Sequence, residues 1–362
     1  LLDATDEVFV DAPATGFSRI IGVGTPKDFF GVDQDAAAFG QFVQSYITNF
    51  NRWNSPKFLF GESYGTTRSA ALASYLEDKG IDLNGIVLLS TILNFNLDWE
   101  INFDPVSIGG GDWGYVLYLP TEAAVAWYHH QVSAPNLPAF LHQVEDFAMG
   151  EYLDALAKGA QLGASERADV VRKLHEYTGL SEQYISESNL RIPYLRFETE
   201  LLRRSGQIVG RLDARFATYS LDIVGNEPDW DPADVATSGA FTATFNQYVR
   251  QDLHYEPDVP YLPVNYRATR PWDFKHNGVE PTNVAPDLAS AMTENPHLRV
   301  FSANGYFDFA TPYFATVYTL NHLNLSPALQ KHITYGFYQS GHMVYLHTPA
   351  LAEFRRDLEA WY

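Results

Sequence analysis

The sequence predicts an α/β protein in which a mainly helical cap is inserted into a parallel sheet covered by helices. Three observations carry this. Short apolar runs alternate with helical stretches over residues 1–93, helical stretches without strong strands fill 94–277, and the alternation returns over 278–362. We take these as the first part of the core, the cap, and the second part of the core. No repeat period and no low-complexity tract interrupts this order.

Glu7-Val8-Phe9-Val10-Asp11 is β-branched and aromatic and closes at Ala12-Pro13, which predicts a buried strand. From Gln34 to Tyr46 the residues Ala37, Phe39, Phe42, Val43 and Tyr46 fall on one helical face, and the polar stretch Asn49 to Pro56 ends it. Lys57-Phe58-Leu59-Phe60 is the next strand. An alanine-rich helix follows from Thr67 to Lys79, closed by Gly80, and then the strand Ile86 to Ser90. In the cap, Tyr118 to Gln131, Phe147 to Leu156 and Ala164 to Tyr177 read as helices. The core resumes with a strand at Arg299 to Ser302, a helix from Tyr313 to Leu323, a strand at His332 to Phe337 and a closing helix from Pro349 to Tyr362. Strands joined through helices imply parallel pairing.

Composition narrows the function. With 362 residues, 46% hydrophobic and 19% charged, the chain can bury a substantial core. No apolar run approaches the roughly 18 residues of a spanning helix, so a membrane role is not expected. Twenty-four basic against 44 acidic residues give a net charge of −20, which repels phosphate backbones and anionic lipid, so no nucleic-acid partner is expected. Zero cysteines remove disulfides, thiolate metal sites and a cysteine nucleophile while leaving the compartment open. Leu1 is not methionine and no signal-peptide pattern follows it, so the chain is expected to begin mid-protein. The sequence does not reveal oligomeric state.

Gly61-Glu62-Ser63-Tyr64-Gly65 has the form G-x-S-x-G between a strand and a helix, the context of a nucleophile elbow in an α/β-hydrolase fold. A serine hydroxyl needs a base to take its proton and a carboxylate to orient that base, supplied in this fold in the order Ser, Asp, His. Asp308 follows the Arg299 strand and His342 follows the His332 strand, so both fall on loops at strand carboxyl ends. Metal chemistry has little support. His129 and His130 are adjacent on a helix and point apart. Gly109-Gly110-Gly111-Asp112 lacks the context of a phosphate loop and reads as a flexible turn, and Asp229, Asp231 and Asp234 read as a solvated charge cluster. No cofactor is expected.

These residues resemble the serine carboxypeptidase family. Gly61 to Gly65 is similar to its G-E-S-Y-[AG] motif, Asn304-Gly305-Tyr306-Phe307-Asp308 to its aspartate loop, and Ser340 to Val344 with Leu346-His347 and Pro349 to its G-H-x-V-P-x-H-x-P segment. Val10 to Pro13 with Thr15 to Ser18 resembles D-x-P-x-G-T-G-F-S. Tyr118 to Thr121, Ala126 to Tyr128, and Gly210 to Phe216 resemble cap segments of bacterial members. The resemblance implies removal of C-terminal residues from peptides through an acyl-enzyme: Ser63 the nucleophile, His342 the base, Asp308 its orienter, Tyr64 an oxyanion donor through its N–H, Glu62 part of a clamp for the peptide's free carboxylate, and Tyr64 and Met343 pocket walls. A carboxyl donates to a carboxylate only when protonated, so the clamp implies an acidic optimum. The partner implied is a peptide with a free C-terminal carboxylate, and the location implied is secreted or periplasmic.

Two departures stand out. Tyr345 occupies a position where the family usually has proline, and the family's N-G-G-P-G loop, which carries the second oxyanion donor, does not occur in these 362 residues. An esterase or acyltransferase on the same fold, or a catalytically incompetent fragment, therefore stays open as an alternative.

Overall fold

Gly85–Leu89 is a run of five buried residues, four of them large aliphatics, and such a run suits a strand covered on both faces. In the computed structural model, which describes residues 2–97, 111–265 and 271–362, this run is the second strand of a four-stranded parallel sheet. Its strands are β1 (Phe58–Glu62), β2 (Gly85–Leu89), β5 (Arg299–Gly305) and β6 (Ile333–Tyr338), hydrogen-bonded in the order β1-β2-β5-β6. Register runs Phe58 to Gly85 to Arg299, so the strands advance together and their carboxyl ends lie along one rim.

Helices cover both faces. Helix α1 (Val32–Asn49), α2 (Tyr64–Glu77) and α7 (Ala285–Glu294) bury Ala36, Leu72, Leu76, Leu288 and Met292 against Ile86, Leu88 and Val300. The opposite residues of the same strands, Val87, Leu89, Phe301 and Ala303, meet Phe354, Leu358 and Trp361 of the last helix, α9 (Thr348–Trp361). The period of two along each strand thus feeds two separate cores. Every core strand expected between Lys57 and Phe337 is present within a few residues of its predicted bounds.

One expected strand is not. Residues 7–10 have no regular structure, and Phe9 is 88% exposed. Strand-forming composition needs a neighbour to complete its ladder, and no described segment pairs with this one. Past it the chain turns: the Asp11 carboxylate accepts the Phe17 N–H at 2.8 Å, and Gly16 and Leu262 exchange backbone hydrogen bonds.

Between β2 and β5, helix α3 (Trp113–Tyr128) is apolar on nearly all sides and buried from Val116 to Ala126. Its burial by α4 (Leu137–Phe147), α5 (Ala164–Thr178) and shorter helical segments lets it tolerate Pro120 in mid-helix. This core extends to Phe307, Phe309 and Tyr313, at and beyond the loop after β5 and at the start of α8 (Tyr313–Asn321). Several elements were not expected, among them helices α4 and α7. A short antiparallel hairpin joins β3 (Gln207–Val209) and β4 (Ala217–Tyr219), strands too brief to show alternation. Helix α6 (Pro232–Gln251) buries only Pro232, Ala233 and Val249, so its sequence carries little apolar periodicity.

Candidate active site

At the carboxyl end of β1 the chain turns through Ser63, with φ 56° and ψ −125°, directly into α2. A non-glycine residue at this conformation costs on the order of 1–3 kcal/mol, and the surroundings must hold it there. The Ser63 N–H donates to the Leu89 carbonyl at 3.0 Å and the Ser63 carbonyl accepts from the Thr66 N–H and hydroxyl. Gly61 makes the turn possible: a Cβ there would lie 2.1 Å from the Gly65 carbonyl oxygen. Packing makes no such demand at Gly65, where a Cβ would meet nothing within 4 Å.

Asp308 lies three residues beyond β5 and is fully buried. One oxygen accepts the N–H groups of Ala310 (2.7 Å) and Thr311 (3.1 Å), and the other accepts the Thr311 hydroxyl at 2.6 Å and lies 2.8 Å from His342 Nδ1. The carboxylate is thereby fixed before it meets the imidazole. Burial pulls the His342 pKa down, but the charge and hydrogen bond of Asp308, helped by Glu62, outweigh it and leave the imidazole above its ordinary range; Arg211 opposes them. Ser63, Asp308 and His342 therefore stand at or just past the carboxyl ends of β1, β5 and β6, on one rim. Among the described residues Ser63 Oγ makes no hydrogen bond, to His342 or otherwise. Such contacts are often long in enzymes without substrate and tighten on binding.

Glu62, the last residue of β1, is close enough to His342 and Asp308 to exchange charge effects with both. Burial raises its pKa, and Asp308 adds to this, while His342 and the Tyr345 hydroxyl draw it back. Tyr345 Oη lies 3.2 and 3.1 Å from the two Glu62 oxygens. Tyr64 opens α2 with its N–H free of any backbone acceptor among the described residues. Its ring packs edge-on to Trp272 at 5.2 Å and beneath the Arg68 guanidinium, which pairs with buried Asp35 at 2.7 Å. Met343 is half-buried directly beside His342.

A segment that sequence reasoning assigned only to the cap reaches this site. The Leu212 carbonyl accepts the His342 N–H at 2.7 Å, the Arg211 carbonyl accepts the Phe309 N–H at 3.0 Å, and the Ala214 N–H donates to the Phe307 carbonyl at 2.9 Å. Arg215 forks onto the buried Asp213 carboxylate (2.9 and 2.6 Å) and also donates to the Gln339 carbonyl and Ser340 Oγ. A Cβ on Gly341 would strike Asp213 at 2.5 Å, so the strap lies directly on the histidine loop. The charge-bearing G-R-L-D-A-R run was the available signal, but not its destination. Arg215→Ala leaves Asp213 buried without its partner, so we expect a loss of about 3–5 kcal/mol of stability. Thermal and denaturant unfolding measure it, and wild-type stability would show that the pair contributes little.

The remaining candidates have structural partners. His129 Nε2 lies 2.6 Å from the Ala214 carbonyl. Asp229, Asp231 and Asp234 are not simply a solvated cluster: Asp229 accepts the Leu221 N–H, Asp231 caps α6 and accepts the Leu212 N–H, and Asp234 accepts the Ser238 hydroxyl. Short polar side chains next to turning backbone are drawn into such bonds. Gly109 and Gly110 lie outside the described residues. No group of three or more metal-ligating side chains occurs among those described.

The serine carboxypeptidase family profile matches residues 3–344. The chain therefore belongs to the serine carboxypeptidase family, with an α/β-hydrolase fold, and is a hydrolase of the serine carboxypeptidase type. Peptides are the substrates that this family implies. No curated protein matches the chain. No helix among the described residues is long and apolar enough to cross a membrane.

Proposed function

We propose that Ser63, His342 and Asp308 release the C-terminal residue of a peptide through an acyl-enzyme. The observation that carries this reading is the buried Asp308–His342 hydrogen bond on the same rim as a strained Ser63 at the head of a helix. His342 Nε2 takes the Ser63 proton as Oγ attacks the scissile carbonyl, then returns it to the leaving amine; water repeats the sequence to free the shortened peptide. Asp308 holds the Nδ1–H tautomer and balances the imidazolium. The Tyr64 N–H donates to the developing oxyanion. The helical segment 94–277 acts as a cap over the strand ends, where ligands bind in open α/β sheets, and Met343 lines the pocket.

Glu62 receives the peptide's terminal carboxylate. To donate to it Glu62 must be protonated, and a pKa raised by burial extends that state to higher pH than an ordinary carboxyl allows. Binding is then strong in acid and is lost as pH rises through the raised value. A blocked dipeptide acid is cleaved faster than the same dipeptide amide, and the gap widens in acid. Glu62→Gln removes that widening. Equal rates on acid and amide would point to an esterase or acyltransferase instead. We also infer export from the cytoplasm, supported by family likeness alone and checked by fractionating the native host.

A further inference from the structure

We propose that Tyr345 is the positioning partner of Glu62, setting where in pH the site stops accepting a peptide carboxylate. The inference rests on the clamp reading of Glu62. Its own support is geometric. Tyr345 stands at a position the family usually gives to proline, which could offer no side-chain hydrogen bond, and here its hydroxyl reaches both oxygens of Glu62, at 3.1 and 3.2 Å. Glu62 ends β1, whereas Tyr345 sits in a short helical turn three residues past His342, 283 positions away in sequence. A phenol donating to a carboxylate stabilises the ionised form, in which the clamp cannot donate. When Glu62 takes up a proton, the same hydroxyl can keep one oxygen in place while the carboxyl O–H turns to the incoming carboxylate.

Among the described residues, the other titratable groups facing Glu62 are His342 and Asp308. His342, when charged, favours the ionised carboxylate, and Asp308 disfavours it. Both are tied to one another, so Tyr345 is the group whose removal changes Glu62 without breaking the Asp308–His342 pair.

The test is the pH dependence of kcat/KM for a blocked dipeptide acid and for its methyl ester, on the full-length enzyme, Tyr345→Phe and Glu62→Gln. For the acid, Tyr345→Phe moves the alkaline limb up by about one pH unit, so that above both limbs it outperforms the wild type about tenfold, chiefly through KM. The ester offers no carboxylate and shows no such shift. Carbon-13 titration of the Glu62 carboxyl, assigned by its loss in Glu62→Gln, follows the same displacement without relying on turnover. If Glu62→Gln loses the limb while Tyr345→Phe keeps it where the wild type has it, Tyr345 is not the partner and the clamp survives. If Glu62→Gln keeps the limb, the clamp reading fails and takes this proposal with it.

Discussion

Ser63→Ala lowers kcat on a blocked dipeptide acid by on the order of 10⁶-fold, and the single adduct that a fluorophosphonate leaves on the wild type disappears. The size follows from unit behaviour: once the nucleophile is gone, the base and its orienter have no hydroxyl to act upon, and only substrate positioning and oxyanion donation remain. Intact-mass measurement checks the adduct and steady-state kinetics the rate. Alanine also removes little from the fold, because Ser63 Oγ makes no hydrogen bond among the described residues while the backbone bonds to Leu89 and Thr66 persist. An adduct retained by the variant would assign the activated hydroxyl to another residue.

Asp308→Asn is the more diagnostic change, with an expected loss in kcat of about 10⁴-fold. The site itself dictates how the amide must sit. One oxygen position is committed to two backbone N–H groups, from Ala310 and Thr311, which only an oxygen can accept. The amide nitrogen is then turned toward His342 Nδ1, at the position now 2.8 Å away. A donor there makes Nδ1 the acceptor and moves the ring proton to Nε2, the atom that should receive the serine proton. The acid limb carries a second signature. The Asp308 charge helps to hold the His342 pKa above its ordinary range, so its removal lowers that pKa and extends the neutral imidazole to lower pH. The residual activity of Asp308→Asn therefore has its acid limb displaced downward. A wild-type kcat, or an unmoved limb, would contradict the assigned role of Asp308.

The sheet was readable because its strands are short apolar runs bounded by turns, and because burial on both faces leaves residues such as Ile86 to Leu89 uniformly apolar. The candidate triad was readable for a related reason: each member lies within four residues of the end of such a strand. Residues 7–10 show the limit of composition, since a strand is defined by its neighbour as much as by its side chains. Helix α6 escaped because periodicity appears only where a face is buried, and this helix buries little beyond its ends. The strap at 210–216 could not be traced to the histidine loop at all. Its bonds to Ser340 span 125 positions, and nothing in local propensity encodes a contact of that range. The Glu62–Tyr345 pair, with members 283 positions apart, was hidden in the same way.

The strap also bears on how this enzyme can diverge. A segment that merely roofed a pocket could be exchanged wholesale between relatives to change substrate preference. Here residues 211–215 supply hydrogen-bond partners to the loops of both Asp308 and His342, so exchange would alter reactivity together with selectivity. Freedom to vary is left to surfaces that touch neither loop, such as the exposed length of α6. New preferences are accordingly reached by point changes and insertions there, with the G-R-L-D-A-R run carried along intact.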